Sequence, residues 1–181
     1  MPGICPPWLS LLLTCGLRHR GQDPFRIVGP FVQEGATVAD VGCGPGFFTG
    51  PMAHLAGETG RVIAVDVQQG MLNRARNAAR RVGMAERIDF RHATDTDLKL
   101  DEGLDFVLAF AVLHEMRDAK GALEQITAAL RPGGRLLLAE PTFHVHKPKF
   151  TETVRLAEST GLYWVDIVDI RMSHAAVLRR D

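Results

Sequence analysis

The stretch Val38-Ala39-Asp40-Val41-Gly42-Cys43-Gly44-Pro45-Gly46-Phe47 decides the fold, because an apolar strand runs directly into three glycines and then into a helical segment. Glycine lacks a Cβ, so the backbone of such a turn comes close to a ligand, and the helix beyond it offers unpaired N–H groups. A turn of this kind holds a nucleotide-like ligand. Its spacing is G-x-G-x-G. A dinucleotide fingerprint would place its third glycine at position 47, where this chain has Phe47, and would bring a pyrophosphate to the helix end. The next strand, Val62-Ile63-Ala64-Val65-Asp66, ends in a carboxylate. Parallel topology brings that carboxylate beside the first turn, where it can accept both hydroxyls of a ribose. Without Asp66 the glycines would imply no more than a tight strand-to-helix connection.

Outward from these two features, β-branched runs alternate with helical stretches, the pattern of a parallel sheet covered on both faces. Strands are expected at Ala36–Val41, Arg61–Asp66, Arg87–His92, Leu104–Phe110 and Arg135–Glu140. Helices are expected at Gly46–Leu55, Gln69–Val82, Arg117–Leu130 and Lys147–Ser159, with a turn at Arg131-Pro132-Gly133-Gly134. Tyr163–Ile170 and His174–Leu178 read as two strands joined at Arg171-Met172-Ser173. No repeat or low-complexity segment interrupts this order.

The 181 residues suit one domain, and 21 basic against 21 acidic residues leave no overall field to attract a polyanion. No nucleic-acid partner is expected; Arg74, Arg76, Arg80, Arg81 and Arg87 read as a solvated helix face rather than a basic binding patch. The three cysteines, Cys5, Cys15 and Cys43, form no disulfide framework and lack metal-finger spacing, which suits a reducing cytoplasm. The apolar stretch Trp8–Leu17 lacks a positive start and a cleavage site and is too short to span a bilayer, so neither a signal peptide nor stable membrane insertion is expected.

The glycine turn and Asp66 resemble motif I and the following acidic motif of class I S-adenosylmethionine-dependent methyltransferases, especially the ubiquinone and menaquinone biosynthesis branch that acts on small molecules. Three further runs carry the resemblance from about Phe25 to the C-terminus: Asp105–Phe110 followed by Val112-Leu113-His114, then Leu130–Arg135, then Leu136–Pro141. The resemblance implies a three-layer Rossmann-like α/β fold, its mostly parallel sheet ending in a C-terminal antiparallel hairpin. It also implies S-adenosylmethionine as cofactor and residues 25–181 as the donor-binding domain. Gly42 and Gly44 would face the donor's methionine part and ribose, with Cys43, Gly46 and Phe47 completing the turn. Asp40 would help hold the ammonium group and Asp66 the ribose hydroxyls. Val67 and Met71 would pack on adenine, and Phe110 and Ala111 would lie under the reacting methyl. The family commonly has an acidic residue after the third strand, but here Ala93 is followed by Thr94. Either the Thr94 hydroxyl or Asp95 would then take the adenine amino group.

No metal is required for methyl transfer from a sulfonium, whose methyl is already activated; the protein must align the acceptor and exclude water. A general base would help an oxygen, nitrogen or carbon acid, and His114, Glu115 and His144 stand just beyond the fourth and fifth strands. The competing roles are packing or capping for the histidines and the start of a helix for Glu115. Cys43 reads as a small filler within the turn. Cys5 with His114, His144 and His146 is a further arrangement to check for a metal or metalloid. Residues 1–24 read as a lid, with Trp8, Leu9, Leu12 and Leu13 covering an apolar surface. Trp8, Phe25, Phe47, Phe110 and Phe143 either line an apolar acceptor chamber or fill the core. The end of the fourth strand lacks an Asn-Pro-Pro-Tyr-type run, which amino methylation of bases or glutamine often uses. The rival readings are a non-catalytic donor-binding module and a nucleotide-dependent oxidoreductase.

Overall fold

The computed structural model describes residues 22–181. The greater part of the expected lid, residues 1–21, and with it Trp8 and Cys5, lies outside the described residues. From Pro24 the order is α1 (Pro24–Val28), β1 (Thr37–Val41), α2 (Thr49–Ala56), β2 (Arg61–Asp66), α3 (Gln69–Arg81), β3 (Ile88–His92), β4 (Leu104–Phe110), α4 (Ala119–Ala129), β5 (Leu130–Pro141), α5 (Lys147–Glu158), β6 (Leu162–Ile167) and β7 (Ser173–Arg180). Among the described residues the seven strands form one sheet in the order β3-β2-β1-β4-β5-β7-β6. It is parallel from β3 to β5, and β7 runs antiparallel to both β5 and β6. The expected fold class and C-terminal hairpin are therefore present.

Side chains alternate across a strand, so each buried strand supplies two layers of core. Val38, Val62, Phe106 and Leu137 face Met52 of α2 and Leu72 of α3, while Ala39, Ile63, Val107 and Leu136 face Leu123 of α4 and Phe150 of α5. Helix α3 buries Met71, Leu72, Ala75 and Ala79, one stripe at helical spacing, and places Arg80 and Arg81 in its last turn, where the dipole favours cations. Helix α4 is capped by Asp118, whose side chain accepts the Gly121 N–H at 2.8 Å. Order reverses where β1 lies between β2 and β4, and a crevice outside the carboxyl ends of parallel strands opens at such a switch point.

Several boundaries depart from the sequence expectation, each for a local reason. The helix expected from Gly46 begins at Thr49, because Gly46 has φ +91°, outside the helical region. Arg131–Gly134 belongs to β5: Leu130 pairs with Leu104 and Arg135 with Phe106, so the intervening residues form a bulge rather than a free turn. Arg87 lies in a single 3-10 turn that precedes β3. Another such turn, Leu113–Glu115, holds Glu115, so Glu115 does not start α4.

Gly42 has φ +71°, and a Cβ added there would lie 2.3 Å from Val112 Cγ2. Gly44 has φ +53°, but a Cβ there would meet nothing within 4 Å. Gly42→Ala is therefore expected to lower unfolding free energy by about 2 kcal/mol or more, through strain and overlap together. Gly44→Ala should cost less, roughly 1–2 kcal/mol from backbone strain alone. Urea unfolding of both variants checks the order.

Candidate active site

The turn after β1 is shaped by the end of β2. Gly42 N and Cys43 N both donate to Val65 O, at 2.9 and 3.0 Å, and Gly44 N donates to Asp66 Oδ2 at 2.9 Å. The other Asp66 oxygen accepts the Gln68 N–H at 2.8 Å, which fixes the entry to α3. An ionised carboxylate has about four acceptor positions, so these two bonds leave capacity for two hydroxyls of a ligand. Asp66 is 8% exposed, and burial pushes its carboxyl above the ordinary value against the pull of the two N–H groups and His92. Asp40, 2% exposed, accepts the Thr49 hydroxyl at 2.5 Å. Between these carboxylates the Cys43 thiol is held well above its ordinary range, first by burial and then by the charges of Asp40 and Asp66. Cys43 is buried in the turn, and its thiolate is disfavoured.

Beyond Asp66 the chain presents exposed Val67 and buried Met71. The His92 ring hydrogen-bonds Val67 O at 2.9 Å, and Ala93 N donates to Asp66 O at 3.1 Å, so the end of β3 is tied to the end of β2. Ala93 is buried and Thr94 exposed. The Thr94 hydroxyl accepts the Thr96 N–H at 3.4 Å, whereas Asp95 pairs with Arg117 at 3.4 Å.

At the end of β4, Phe110 packs on Phe48 with ring centroids 4.7 Å apart, and Phe48 meets Phe47 edge-on at 4.9 Å. Ala111 stands at φ +57°, an uncommon conformation for a residue with a Cβ, and donates its N–H to Ala139 O at 2.7 Å. The strained step turns the chain so that Val112 lies against Gly42 and the following 3-10 turn carries His114. There the His114 ring Nδ1 lies 2.5 Å from Glu140 Oε2, and the His114 backbone N–H donates to Glu140 Oε1 at 3.1 Å. Glu115 Oε1 stands 3.9 Å from His114 Nε2, and the His144 ring meets the His114 ring edge-on at 5.7 Å. The three candidate bases are thus brought together. The hydrogen bond to Glu140 raises the His114 pKa above its ordinary value, opposed by burial and aided by the charges of Glu140 and Glu115.

Glu140 and Thr49 escaped sequence reasoning. For Glu140 a signal existed, an acid in the apolar run Leu136-Leu137-Leu138-Ala139, but its partner lies 26 residues away. Of the aromatics expected to form a chamber, Phe47 and Phe110 join through Phe48, Phe143 is exposed beside His144, and Phe25 instead packs on His54 of α2. Among the described residues no three His, Cys, Asp or Glu side chains gather as a metal site, and no helix is long and apolar enough to cross a membrane. The arrangement through Cys5 lies outside the described residues.

A family model described as a methyltransferase domain matches residues 33–167. The ubiquinone/menaquinone biosynthesis C-methyltransferase UbiE of Klebsiella pneumoniae is 33% identical over 130 residues, which are 71% of this chain and 51% of that protein. The chain therefore spans about half the length of the curated relatives it matches. A SAM-dependent methyltransferase from Aquifex aeolicus has the same fold with a TM-score of 0.87 at 23% identity, covering 97% of this chain and 98% of that one. A SAM-dependent O-methyltransferase from Thermotoga maritima gives a TM-score of 0.72 at 17% identity, over 87% and 64% of the two chains.

Because its folded-state pKa is raised, His114 stabilises the fold fully below its unfolded value of about 6.5 and loses that contribution as pH rises through the folded value. The stability difference between the native chain and His114→Asn is expected to be largest at about pH 6 and to shrink toward pH 9. Urea unfolding across that range measures it, and a difference that grows with pH would contradict the assignment.

Proposed function

Since the chain belongs to the methyltransferase-domain family, we propose that it transfers a methyl group from S-adenosylmethionine to a small, partly apolar acceptor. The observation that carries this reading is the pair of buried carboxylates, Asp40 and Asp66, flanking the glycine turn. Asp66 would serve a ribose in either kind of site, but the second acid, Asp40, suits a donor that carries an ammonium and a sulfonium and opposes the pyrophosphate that an oxidoreductase of similar topology would bring.

The residues fit the donor. Asp66 keeps acceptor capacity for the ribose hydroxyls, the space beside Gly44 is open, and exposed Val67 offers apolar surface for adenine, to which buried Met71 adds little. Asp40 serves the ammonium, and Cys43, Gly46 and Phe47 complete the turn. Thr94 and Asp95 are both exposed and both engaged locally, by Thr96 and Arg117, so either can turn to the adenine amino group. Bound S-adenosylmethionine supplies an electrophilic methyl whose bonding pair returns to sulfur as the acceptor forms its new bond. The chain's part is to align the acceptor past Phe110 and Ala111, to exclude water, and to take up the acceptor's proton at His114, with Glu115 and His144 beside it.

Residues 1–24 are proposed to act as a lid on the strength of their apolar sequence. Gln22 Nε2 donates to Arg171 O at 2.7 Å, and Thr142 N donates to Met172 O at 3.0 Å. Gln22 thus meets the connection between β6 and β7, which also contacts the segment that carries Phe143 and His144.

Calorimetric titration with S-adenosylmethionine and, separately, with NADH tests the reading on the native chain and on Asp66→Ala. The sulfonium donor alone should bind, and the substitution should weaken it roughly 10- to 100-fold through loss of charge-assisted hydrogen bonds. Binding of NADH in its place would favour an oxidoreductase. Donor binding without turnover of any acceptor would favour a non-catalytic module.

A further inference from the structure

We propose that Glu140 is a positioning residue that fixes His114 with its proton on Nδ1, so that Nε2 takes the proton of a protic acceptor such as a hydroquinone, phenol or thiol. The inference rests on the methyltransferase reading and assigns Glu140 a role within it.

Glu140 ends the apolar part of β5 and is 1% exposed. A carboxylate at that depth is costly unless its oxygens are satisfied, and both are engaged by one residue: Oε2 lies 2.5 Å from His114 Nδ1, and Oε1 accepts the His114 backbone N–H at 3.1 Å. Ring and backbone are therefore held by the same group. An ionised carboxylate only accepts, so the neutral imidazole must carry its hydrogen on Nδ1 and keep its lone pair on Nε2. The His114 side chain remains 19% exposed, enough to meet a ligand, with Glu140 walled off behind it. The titratable groups facing His114 are Glu140 from β5, Glu115 from its own turn with Oε1 3.9 Å from Nε2, and His144 from the segment after β5.

This arrangement selects among acceptors. A nucleophile without a transferable proton, such as a thioether or tertiary amine, gains nothing from a base. An acceptor X–H gives its proton to Nε2 as X bonds to the methyl carbon, and the imidazolium so formed is stabilised by the Glu140 carboxylate until it releases the proton to solvent. A structural role for Glu140 would require only that the turn be held, which an amide also does. Glu140→Gln separates the two. Its oxygen can still accept the His114 backbone N–H, but its NH2 then faces Nδ1 and donates to it, which moves the ring hydrogen to Nε2 and abolishes the base.

The test is 15N NMR of the histidine-labelled chain across pH, with the His114 signals identified by their absence in His114→Asn. In the native chain the neutral His114 ring should show a bare Nε2 and a titration midpoint above about 6.5. In Glu140→Gln the tautomer should reverse and the midpoint fall, while Glu140→Asp should keep the native tautomer. Turnover of S-adenosylmethionine with a naphthohydroquinone, a catechol and an alkyl thiol should fall roughly 10²-fold or more in Glu140→Gln, with donor KM unchanged and recovery in Glu140→Asp. A native ring protonated on Nε2, or a Glu140→Gln variant that reverses the tautomer yet keeps full turnover, overturns the inference. A native chain that fails to bind S-adenosylmethionine in calorimetry instead overturns the methyltransferase reading, whatever the tautomer.

Discussion

The Asp66 carboxylate is the constraint on which the site depends, because one side chain holds two separate pieces of backbone. One oxygen takes the amide of Gly44 and the other the amide of Gln68, so the turn after β1 and the entry to α3 close on a single side chain. The amides of Gly42 and Cys43 go to Val65 O, one residue earlier. The shape of the glycine turn is therefore imposed from β2 by hydrogen bonds made within the protein itself. Keeping a charge this deep is unfavourable, as the raised Asp66 pKa shows, and the N–H donors offset only part of that cost. Buried carboxylates with perturbed titration concentrate where a ligand's charge completes the balance.

A second constraint couples this cradle to the opposite wall. The missing Cβ of Gly42 is the space that Val112 occupies, so the turn after β1 and the turn after β4 are in van der Waals contact. The backbone reaches that contact through Ala111, held at φ +57° by its hydrogen bond to Ala139. Alanine is the smallest residue with a Cβ, which limits the strain of that step. Three residues after Ala111, the chain delivers His114 to Glu140. The donor-facing turn and the candidate base are thus consecutive links in one packed chain of contacts, and displacement of either would be felt by the other.

The sheet and the acid that ends β2 were legible in the sequence because each is a local pattern. Apolar runs of five to seven residues specify buried strands, and the glycines mark the place where the first of them must turn. The boundaries were less legible. The start of α2 depends on the dihedral angle at Gly46, and Arg131–Gly134 became a bulge because Leu130 found Leu104 across the sheet. Phe25 was grouped with the site aromatics by residue type, but its position on α1 sends it to His54. Composition carries no information about which side of a helix faces which neighbour.

By itself the sequence determined the α/β class, the parallel core with its antiparallel end, the glycine turn with its acidic partner, and the three side chains placed just past the strand ends. These follow from periodicity and from residue types whose backbone preferences act within a few positions. Only the tertiary structure decided that Thr49 satisfies Asp40, that Asp95 is engaged by Arg117, and that Glu140 stands behind His114. Such pairs join residues brought together by strand order and register. Their identity is a property of distance in space, and a linear pattern does not encode distance across a sheet.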